Sequence, residues 1–329
     1  MNTCKIGFIG DLHLSDRVTG RHKDYYANCM EVLNKITEAI EAEKLTHLFL
    51  SGDIFGTHEH TLKTMEARSA IFEKIAKWNT ILNGELYSIR GNHDSAAKTT
   101  DFDLLVATHL LKTTPETGYG YVDIGGYRVH MIDYGNDNAK VELDTEKCNL
   151  ALMHSYLRIP GKVDLMNIKQ AVNLDALVNL KGIDLVIGGH YHTPSSGYMT
   201  TQIEGTDISL MYIGCPTRPS AADTWTETYM LVATSVDDGL GKYTLSEQTA
   251  KFKLCPIESL LKPVKEKSED VQESMSRTEM VASVLNELES YNIMGTGAYR
   301  NRLESMRATN PEAVDLCLKY IDSVLAKSK

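Results

Sequence analysis

The sequence predicts an α/β fold, because short apolar strands alternate with amphipathic helices over its first two-thirds. The chain has 329 residues, of which 42% are hydrophobic and 24% are charged. These proportions are typical of a globular protein that buries a sizeable core, and they exclude the disordered, collagen-like and disulfide-scaffold classes. At about 150 residues per domain, the length indicates roughly two domains, or one large domain with an appendage.

Each element is predicted from the period of its apolar residues. A period of two indicates a strand, and a period near 3.6 indicates a helix. The pattern predicts a strand at 6–10, a helix at 24–44, a strand at 47–52, a helix at 62–78, a strand at 86–90, a hairpin at 119–134 and strands at 149–154 and 185–189. Gly125 and Gly126 supply the tight turn of the hairpin.

The later part of the chain changes character twice. The pattern of residues 208–252 predicts several consecutive strands. We therefore expect a second, more antiparallel sheet there, with a turn at Asp237, Asp238 and Gly239. Beyond Pro256 a charged stretch leads into two amphipathic helices, predicted at 278–290 and 311–326. The predicted division is therefore a core domain at 1–255 and a C-terminal helical segment at 256–329.

Charge and cysteine usage narrow the class of protein. Lys and Arg total 34 against 44 Asp and Glu, which gives a net charge of −10 and counts against a strongly basic nucleic-acid-binding protein. None of the six cysteines forms a C-x-x-C pair, so neither a zinc ribbon nor a redox motif is indicated. No apolar run is long enough to span a bilayer, and no export signal is visible, so we expect a cytoplasmic protein with reduced cysteines.

Five short polar motifs each follow a predicted strand. They are Gly10-Asp11-Leu12-His13, Ser51-Gly52-Asp53-Ile54-Phe55, Arg90-Gly91-Asn92-His93-Asp94, Met153-His154-Ser155 and Gly188-Gly189-His190-Tyr191-His192. Asp, Asn and His side chains supply the oxygen and nitrogen ligands of first-row divalent metals. In open α/β sheets, ligands bind beyond the carboxyl ends of the strands, which is where these motifs lie. The sequence therefore predicts a metal site at this edge of the fold.

The motifs offer more ligands than one metal ion can use. The seven candidates are Asp11, His13, Asp53, Asn92, His154, His190 and His192. Two ions that share one carboxylate account for all of them, and Asp53 is the natural bridge because it is the lone ligand of its motif. Two ions about 3.5–4 Å apart clamp the attacking and leaving oxygens of a phosphoryl displacement. We expect His93 to act on the leaving group and Asp94 to orient the His93 imidazole.

The five motifs resemble the signature of the calcineurin-like metallophosphoesterases over roughly residues 5–220. Within that superfamily the sequence is most similar to the SbcD-type nucleases. The resemblance implies a sandwich of two mixed β-sheets flanked by helices. It also implies metal-dependent hydrolysis of DNA phosphodiesters by an exonuclease, with endonuclease action as a second activity. The implied role is DNA end processing in repair, recombination or replication, beside an SbcC-like coiled-coil ATPase.

The resemblance also implies a role for each site residue. It assigns one metal to Asp11, His13, Asp53 and His192, and the other to Asp53, Asn92, His154 and His190. His93 is then the catalytic histidine. The family's usual metal in activity is manganese, and the same ligands accept magnesium, iron(II) or zinc.

Basic residues near the motifs are candidates for substrate binding. Residues 212–218 resemble the Gly-Ser-Pro-x-Arg stretch that follows the last metal motif in SbcD-type proteins. Arg218, at the end of this stretch, is the best single candidate for a phosphate contact. Arg17 and Arg21, which follow the first motif, would suit a DNA phosphate track.

Several alternatives stay open. About 75 residues follow the predicted second sheet, so a DNA-contacting cap would be reduced or absent. The C-terminal helices either fold onto the core or dock on the ATPase partner, and the chain is also a possible homodimer. The acidic charge and short cap favour a second function, a phosphodiesterase or phosphatase for a small molecule such as a cyclic nucleotide. A third is a metal-bound scaffold subunit of an ATPase complex.

Overall fold

The protein is described by a computed structural model, which covers most of the first 253 residues. The described residues are 4–16, 23–56, 62–95, 100–158, 172–173, 177–195, 199–203, 205–219, 227–237 and 243–253, with the single positions 223, 225, 304, 315 and 318. The predicted C-terminal segment at 256–329 therefore lies outside the described residues except at Glu304, Asp315 and Leu318, which are all helical.

Two six-stranded sheets form the body of the fold. The first contains, in spatial order, β14 (Tyr243–Lys253), β13 (Glu227–Asp237), β1 (Lys5–Ile9), β2 (His47–Leu50), β3 (Leu86–Ser88) and β4 (Lys112–Thr113). The second contains β11 (Met199–Ile203), β12 (Thr206–Tyr212), β10 (Leu185–Gly189), β7 (Cys148–His154), β6 (Tyr127–Ile132) and β5 (Tyr119–Ile124). A separate two-stranded sheet pairs β8 (Leu157–Arg158) with β9 (Val172–Asn173).

Both sheets mix parallel and antiparallel strands. In the first sheet, β1 to β4 run parallel, whereas β13 is antiparallel to β1 and β14 is antiparallel to β13. In the second sheet, β6, β7, β10 and β12 run parallel, and the edge strands β5 and β11 are antiparallel to their neighbours. The predicted fold of two mixed sheets flanked by helices is confirmed.

Three α-helices with described bounds accompany the first sheet, and each begins at a capping side chain. They are α1 (Tyr25–Glu43), α2 (Met65–Ile81) and α3 (Asp101–Ala107). The side chains of Asp24, Thr64 and Thr100 accept hydrogen bonds from the first-turn backbone N–H groups, which have no partner within the helix. Because Thr64 is the cap, α2 begins three residues later than the predicted 62–78. No helix in the described part of the chain is long and apolar enough to cross a membrane.

The apolar side chains of the strands alternate between separate cores. Phe8 and Phe49 point into the core between the two sheets, whereas Leu48 and Leu50 pack against the helices on the outer face of the first sheet. This is the period of two expected of strands that are covered on both faces. A third core covers the outer face of the second sheet and includes Ala151, Met153, Val186 and Leu210.

The prediction of a separate antiparallel sheet at 208–252 is wrong. β12 pairs parallel with β10 inside the second sheet, and β13 pairs antiparallel with β1 inside the first. The burial of their side chains explains this division. Met230 packs toward the helices and Leu231 toward the inter-sheet core, so β13 needs cover on both faces and takes an interior position. The predicted turn falls between the end of β13 at Asp237 and the start of β14 at Tyr243, where residues 238–242 are not described.

Candidate metal centre

The five predicted motifs meet where the parallel strands of both sheets end. Asp11, Asp53 and Asn92 follow β1, β2 and β3 of the first sheet. His154 is the last residue of β7, and His190 directly follows β10, in the second sheet. The two sheets present their carboxyl ends at one edge, so residues far apart in sequence come within a few ångströms of one another.

Asp53 lies at the centre of this cluster. Its Oδ2 is 3.2 Å from His154 Nε2, 3.7 Å from His13 Nε2 and 3.8 Å from His93 Nε2. Its other oxygen, Oδ1, accepts a hydrogen bond from the backbone N–H of His93 at 2.8 Å. One carboxylate oxygen therefore faces imidazoles from three other motifs, as a bridging metal ligand does.

The predicted ligands of the first metal lie together on one side of Asp53. His13 Nε2 is 2.9 Å from His192 Nε2, and the two ring centroids are 4.6 Å apart. His192 Nε2 is also 3.9 Å from Asp11 Oδ2. Two imidazole nitrogens that face each other at this distance require a proton or a cation between them, so the donor set fits a divalent metal. These residues are called the first ligand group below.

The predicted ligands of the second metal lie on the other side of Asp53. His154 Nε2 is 3.1 Å from Asn92 Oδ1, and the ring centroids of His154 and His190 are 4.7 Å apart. Ligand atoms of Asp53, His154 and His190 all lie within 4.8 Å of one another. These residues are called the second ligand group. The structure therefore brings together all seven residues that the sequence identifies.

Ser51 orients two of the candidate ligands. Its carbonyl accepts a hydrogen bond from His154 Nδ1 at 2.7 Å, and its hydroxyl donates to Asp11 Oδ1 at 2.7 Å. With the Nδ1 proton engaged, His154 presents Nε2 to the cluster, which is the usual orientation of a metal-binding histidine. Asp11 Oδ2 in turn accepts from the backbone N–H of His190 at 2.8 Å. Sequence reasoning assigned no role to Ser51, and its place in the second motif was the only signal.

Burial and ion pairing pull the pKa values of the cluster in opposite directions. Burial lowers the pKa of His154, but the Asp53 and Asp11 carboxylates outweigh it and raise that pKa to about 10. The pKa of Asp53 is held below its ordinary value, against burial, chiefly by His154. Burial and then the charge of His154 lower the pKa of His190 to about 2. A divalent metal that binds here must displace the proton of His154, so its affinity falls at low pH.

Three of the candidate ligands adopt a left-handed backbone conformation. Their φ angles are 43° at His13, 47° at Asp53 and 71° at His190. This conformation costs a residue with a side chain roughly 1–2 kcal/mol, and such strain collects at functional sites. Gly91 lets the third motif approach Asp53, because a Cβ at this position would collide with the Asp53 carboxylate.

His93 and Asp94, the predicted catalytic pair, are both present at the cluster. His93 Nε2 lies 3.8 Å from Asp53 Oδ2, and the His93 ring packs edge-on against His13 with centroids 5.1 Å apart. Asp94 is buried, and its Oδ2 accepts a hydrogen bond from the Gly91 N–H at 3.1 Å. Burial, with the charge of Asp53, raises the pKa of Asp94 to about 7. Its hydrogen bond supports the third motif, and the orientation of His93 by Asp94 stays a prediction.

Of the three predicted phosphate-binding arginines, Arg218 is the one that the structure describes. Arg218 is fully buried, and its Nη1 donates to the carbonyl of Trp225 at 3.0 Å. The predicted contact with a phosphate would require this guanidinium to leave its buried position. Arg17 and Arg21 lie outside the described residues.

Two tyrosines beside the second ligand group have no counterpart in the sequence-based prediction. The ring centroids of Tyr156 and Tyr134 lie 3.9 Å and 5.4 Å from that of His190. Tyr156 is two residues beyond His154, which is the only sequence signal for it. Tyr134 is 37% exposed, so it offers an aromatic face to solvent next to the cluster.

Comparison with known proteins identifies the family. A family model described as calcineurin-like phosphoesterase matches residues 4–194, which is more than half of the chain, and the chain belongs to this family. Among solved structures it is similar to a dimetal phosphatase from Danio rerio, with 12% identity and a TM-score of 0.46, over 75% of this chain and 98% of that one. No curated protein matches the chain.

Family membership defines the general activity. The chain is a metal-binding metallophosphoesterase, a hydrolase of phosphate esters. Calcineurin-like dimetal phosphoesterases bind two divalent metals, and the two ligand groups around Asp53 fit such a pair. The SbcD-type branch and DNA as the substrate are finer assignments than family membership gives.

Proposed function

We propose that this metallophosphoesterase is a DNA nuclease that hydrolyses phosphodiesters from strand ends. The observation that carries the phosphodiesterase chemistry is the sharing of Asp53 by both ligand groups, with His93 Nε2 at 3.8 Å from the same carboxylate. When bound there, two divalent cations would lower the pKa of a water molecule and would stabilise negative charge on the phosphoryl oxygens. Manganese is the proposed metal.

His93 is positioned to act on the leaving group. Its side chain is 14% exposed, whereas that of Asp53 is 1% exposed, so the imidazole is the part of this pair that a substrate can reach. The hydrogen bond from its backbone N–H to Asp53 fixes where the ring starts, and the edge-on contact with His13 limits its rotation. From this position Nε2 gives a proton, or a hydrogen bond, to the departing oxygen.

Two observations favour DNA as the substrate. Residues 212–218, which resemble the SbcD-type stretch, pack directly on the first metal motif. Thr217 Oγ1 donates to the Leu12 carbonyl at 2.6 Å, and it lies 3.0 Å from the hydroxyl of Tyr25, which also contacts the His13 carbonyl at 3.0 Å. The exposed ring of Tyr134 beside His190 also offers a surface on which a splayed base can stack.

The proposal extends to partners and role. DNA end processing in repair, recombination or replication would couple this chain to an SbcC-like ATPase in the cytoplasm, with the helices predicted at 278–290 and 311–326 as the docking segment. The sequence contains no phosphate-binding loop of the G-x-x-x-x-G-K-[ST] type, so ATP hydrolysis would come from the partner. We also propose that two copies of the chain can associate as a homodimer.

A second candidate function is hydrolysis of a small phosphodiester or phosphomonoester, such as a cyclic nucleotide. The net charge of −10 favours it, because an acidic surface repels the DNA backbone but scarcely affects a small ligand. The two candidate functions use the same metal centre and differ only in the substrate that binds at it.

One assay separates the two candidates. The purified chain with Mn²⁺ is given end-labelled linear duplex, closed single-stranded circles and a chromogenic diester, beside the variants Asp53→Asn and His93→Asn. The control is His109→Asn, the same change at an exposed histidine outside the cluster. We expect both site variants to lose roughly 10²–10³-fold in hydrolysis and the control to lose none.

The outcomes on DNA and on the diester decide between the functions. Degradation of linear DNA that both site variants lose supports the nuclease, and intact circles would show that ends are required. Hydrolysis of the diester without DNA cleavage, alone or with an SbcC-like ATPase added, would contradict the nuclease and favour the small-molecule enzyme. In that case excess unlabelled DNA would fail to suppress diester hydrolysis.

A further inference from the structure

A buried thiol lies among the first ligand group. The Cys215 Sγ and one ring nitrogen each of His13 and His192 all lie within 4.8 Å of one another. A shared zinc ion, with Zn–S bonds of about 2.3 Å and Zn–N bonds of about 2.0–2.1 Å, would draw these three atoms slightly closer together. We propose that Cys215 Sγ is a further protein ligand of the first metal and biases that position from manganese towards zinc.

The backbone around Cys215 is fixed against the first ligand group. Its N–H donates to the His192 carbonyl at 2.8 Å, and its carbonyl accepts from Trp225 Nε1 at 3.1 Å. The preceding Gly214 has a φ of 82°, and a Cβ there would meet the His192 carbonyl and the Pro194 nitrogen. The turn after β12 is therefore pressed against the fifth motif, and the thiol is held beside the two imidazoles by hydrogen bonds and close packing.

A neighbouring hydroxyl supports the sulfur. Thr217 Oγ1 lies 3.4 Å from Cys215 Sγ, and Thr217 is itself fully buried. The Thr217 hydroxyl donates a hydrogen bond to the Leu12 carbonyl and accepts one from the Tyr25 hydroxyl. These two hydrogen bonds fix its position. A fixed polar group beside a ligand atom is typical of metal sites, where the surrounding hydrogen bonds set the orientation of each ligand.

The sulfur makes the two halves of the centre chemically unequal. Thiolate and imidazole ligands suit zinc, whereas carboxylate and carbonyl oxygens suit manganese. Among the described residues, the group of Asp53, His154 and His190 has no cysteine within the same spacing. A centre with zinc in the first position and manganese in the second follows. This inference rests on the two-metal centre of the proposed function, but it does not depend on DNA as the substrate.

Cobalt(II) is the probe that tests for the sulfur ligand. A thiolate bound to cobalt gives an intense sulfur-to-metal charge-transfer band in the near ultraviolet, whereas nitrogen and oxygen ligands give only the weaker d–d bands. The metal-stripped, full-length chain is titrated with CoCl₂, as wild type, Cys215→Ser and Cys148→Ser. Cys148 begins β7, at the opposite end from His154, so it serves as a matched control. We expect the charge-transfer band in the wild type and in Cys148→Ser, and its loss in Cys215→Ser with the d–d bands retained.

A competition between metals gives a second measurement. The stripped chain is equilibrated with equal MnCl₂ and ZnCl₂, desalted and analysed for metal content. We expect the retained ratio of zinc to manganese to fall by about tenfold or more in Cys215→Ser, at least the effect of losing a group that orients a ligand. Circular dichroism checks that each variant is folded.

Failure of this inference and failure of the two-metal centre are distinguishable. Wild-type d–d bands without a charge-transfer band would overturn the role of Cys215 and leave the two-metal centre standing. A charge-transfer band that persists in Cys215→Ser would overturn it as well. No d–d bands at all would overturn the metal centre, and the inference with it.

Discussion

The first and second ligand groups share Asp53 but differ in what surrounds them. Behind His13 lies a series of buried polar groups, Cys215, Thr217 and Tyr25, joined by hydrogen bonds to the backbone of the first motif. Beside His190 lie the aromatic rings of Tyr134 and Tyr156, of which Tyr134 is exposed. The first group is therefore backed by buried hydrogen bonds, whereas the second lies beside an exposed aromatic ring.

This difference separates two tasks that a two-metal centre must perform. A ligand group fixed by buried hydrogen bonds loses little freedom when it binds a cation, so it favours tight and selective binding. A group flanked by an exposed aromatic ring gives a substrate a face on which to pack. We therefore expect the first group chiefly to hold metal and a substrate to approach beside the second group.

The largest expected effect comes from removing one histidine from each group in parallel. We expect His190→Asn and His192→Asn each to lose one of the two bound metals and roughly 10²–10³-fold in hydrolysis. Asn is chosen because the left-handed backbone at His190 tolerates it. Metal analysis of the purified variants gives the stoichiometry.

Cobalt spectra of the same two variants sharpen the comparison. His190→Asn should keep the sulfur-to-cobalt band of the first group, whereas His192→Asn should lose it and keep the d–d bands of the second. His109→Asn, at an exposed position, is the control and should match the wild type. If the two site variants gave identical spectra, the two groups would not be separate binding positions.

A smaller effect is expected at the exposed side of the second group. Tyr134→Ala should weaken the binding of single-stranded ends by about 1–3 kcal/mol, the contribution of one stacked base, and raise KM with little change in kcat. Tyr134→Phe should keep the stacking and the affinity. Tyr121→Ala removes a tyrosine of similar exposure outside the metal centre and is the matched control. Equal losses at Tyr134 and Tyr121 would contradict a specific stacking position.

The sequence predicts the location of the centre better than its surroundings. Each of the motifs places polar ligands directly after an apolar strand, and parallel strands bring such positions to one edge, so Asp11, Asp53 and His154 were predictable from local pattern. The support from Ser51 was not, because Ser51 contacts His154 across 103 positions of sequence. Cys215 approaches His13 and His192 only through the turn after β12, and no local pattern encodes that approach.

The wrong prediction of a separate antiparallel sheet has the same origin. The apolar period of residues 208–252 identifies strands correctly, but strand pairing depends on which neighbours cover both faces, and this is decided by the whole core. Arg218 sits beside a motif and carries a charge, which suggests exposure. Its guanidinium is instead buried, where the Trp225 carbonyl accepts one of its hydrogen bonds. Local chemistry identifies candidate residues, and tertiary packing decides which of them face a ligand.

A pH dependence of the metal-free protein is also expected, and it arises from the pair His154 and Asp53. Burial lowers the pKa of His154, but Asp53 and Asp11 raise it to about 10, above the 6.5 of an ordinary histidine. A raised folded pKa gives stability that is fully present below the unfolded pKa and is lost as pH rises through the folded one. We therefore expect the Tm of chelator-treated protein to fall from about pH 7 to about pH 10.

Metal binding should reverse this slope, because a bound cation displaces the His154 proton and binds more tightly as pH rises. Differential scanning calorimetry with chelator and with excess metal, over the same pH range, measures both slopes. His154→Gln should flatten the metal-free slope. His130→Gln should keep it, because burial lowers the pKa of His130 and that histidine is already neutral in this range. A flat metal-free profile in the wild type would mean that His154 and Asp53 do not form the ion pair on which the second ligand group is built.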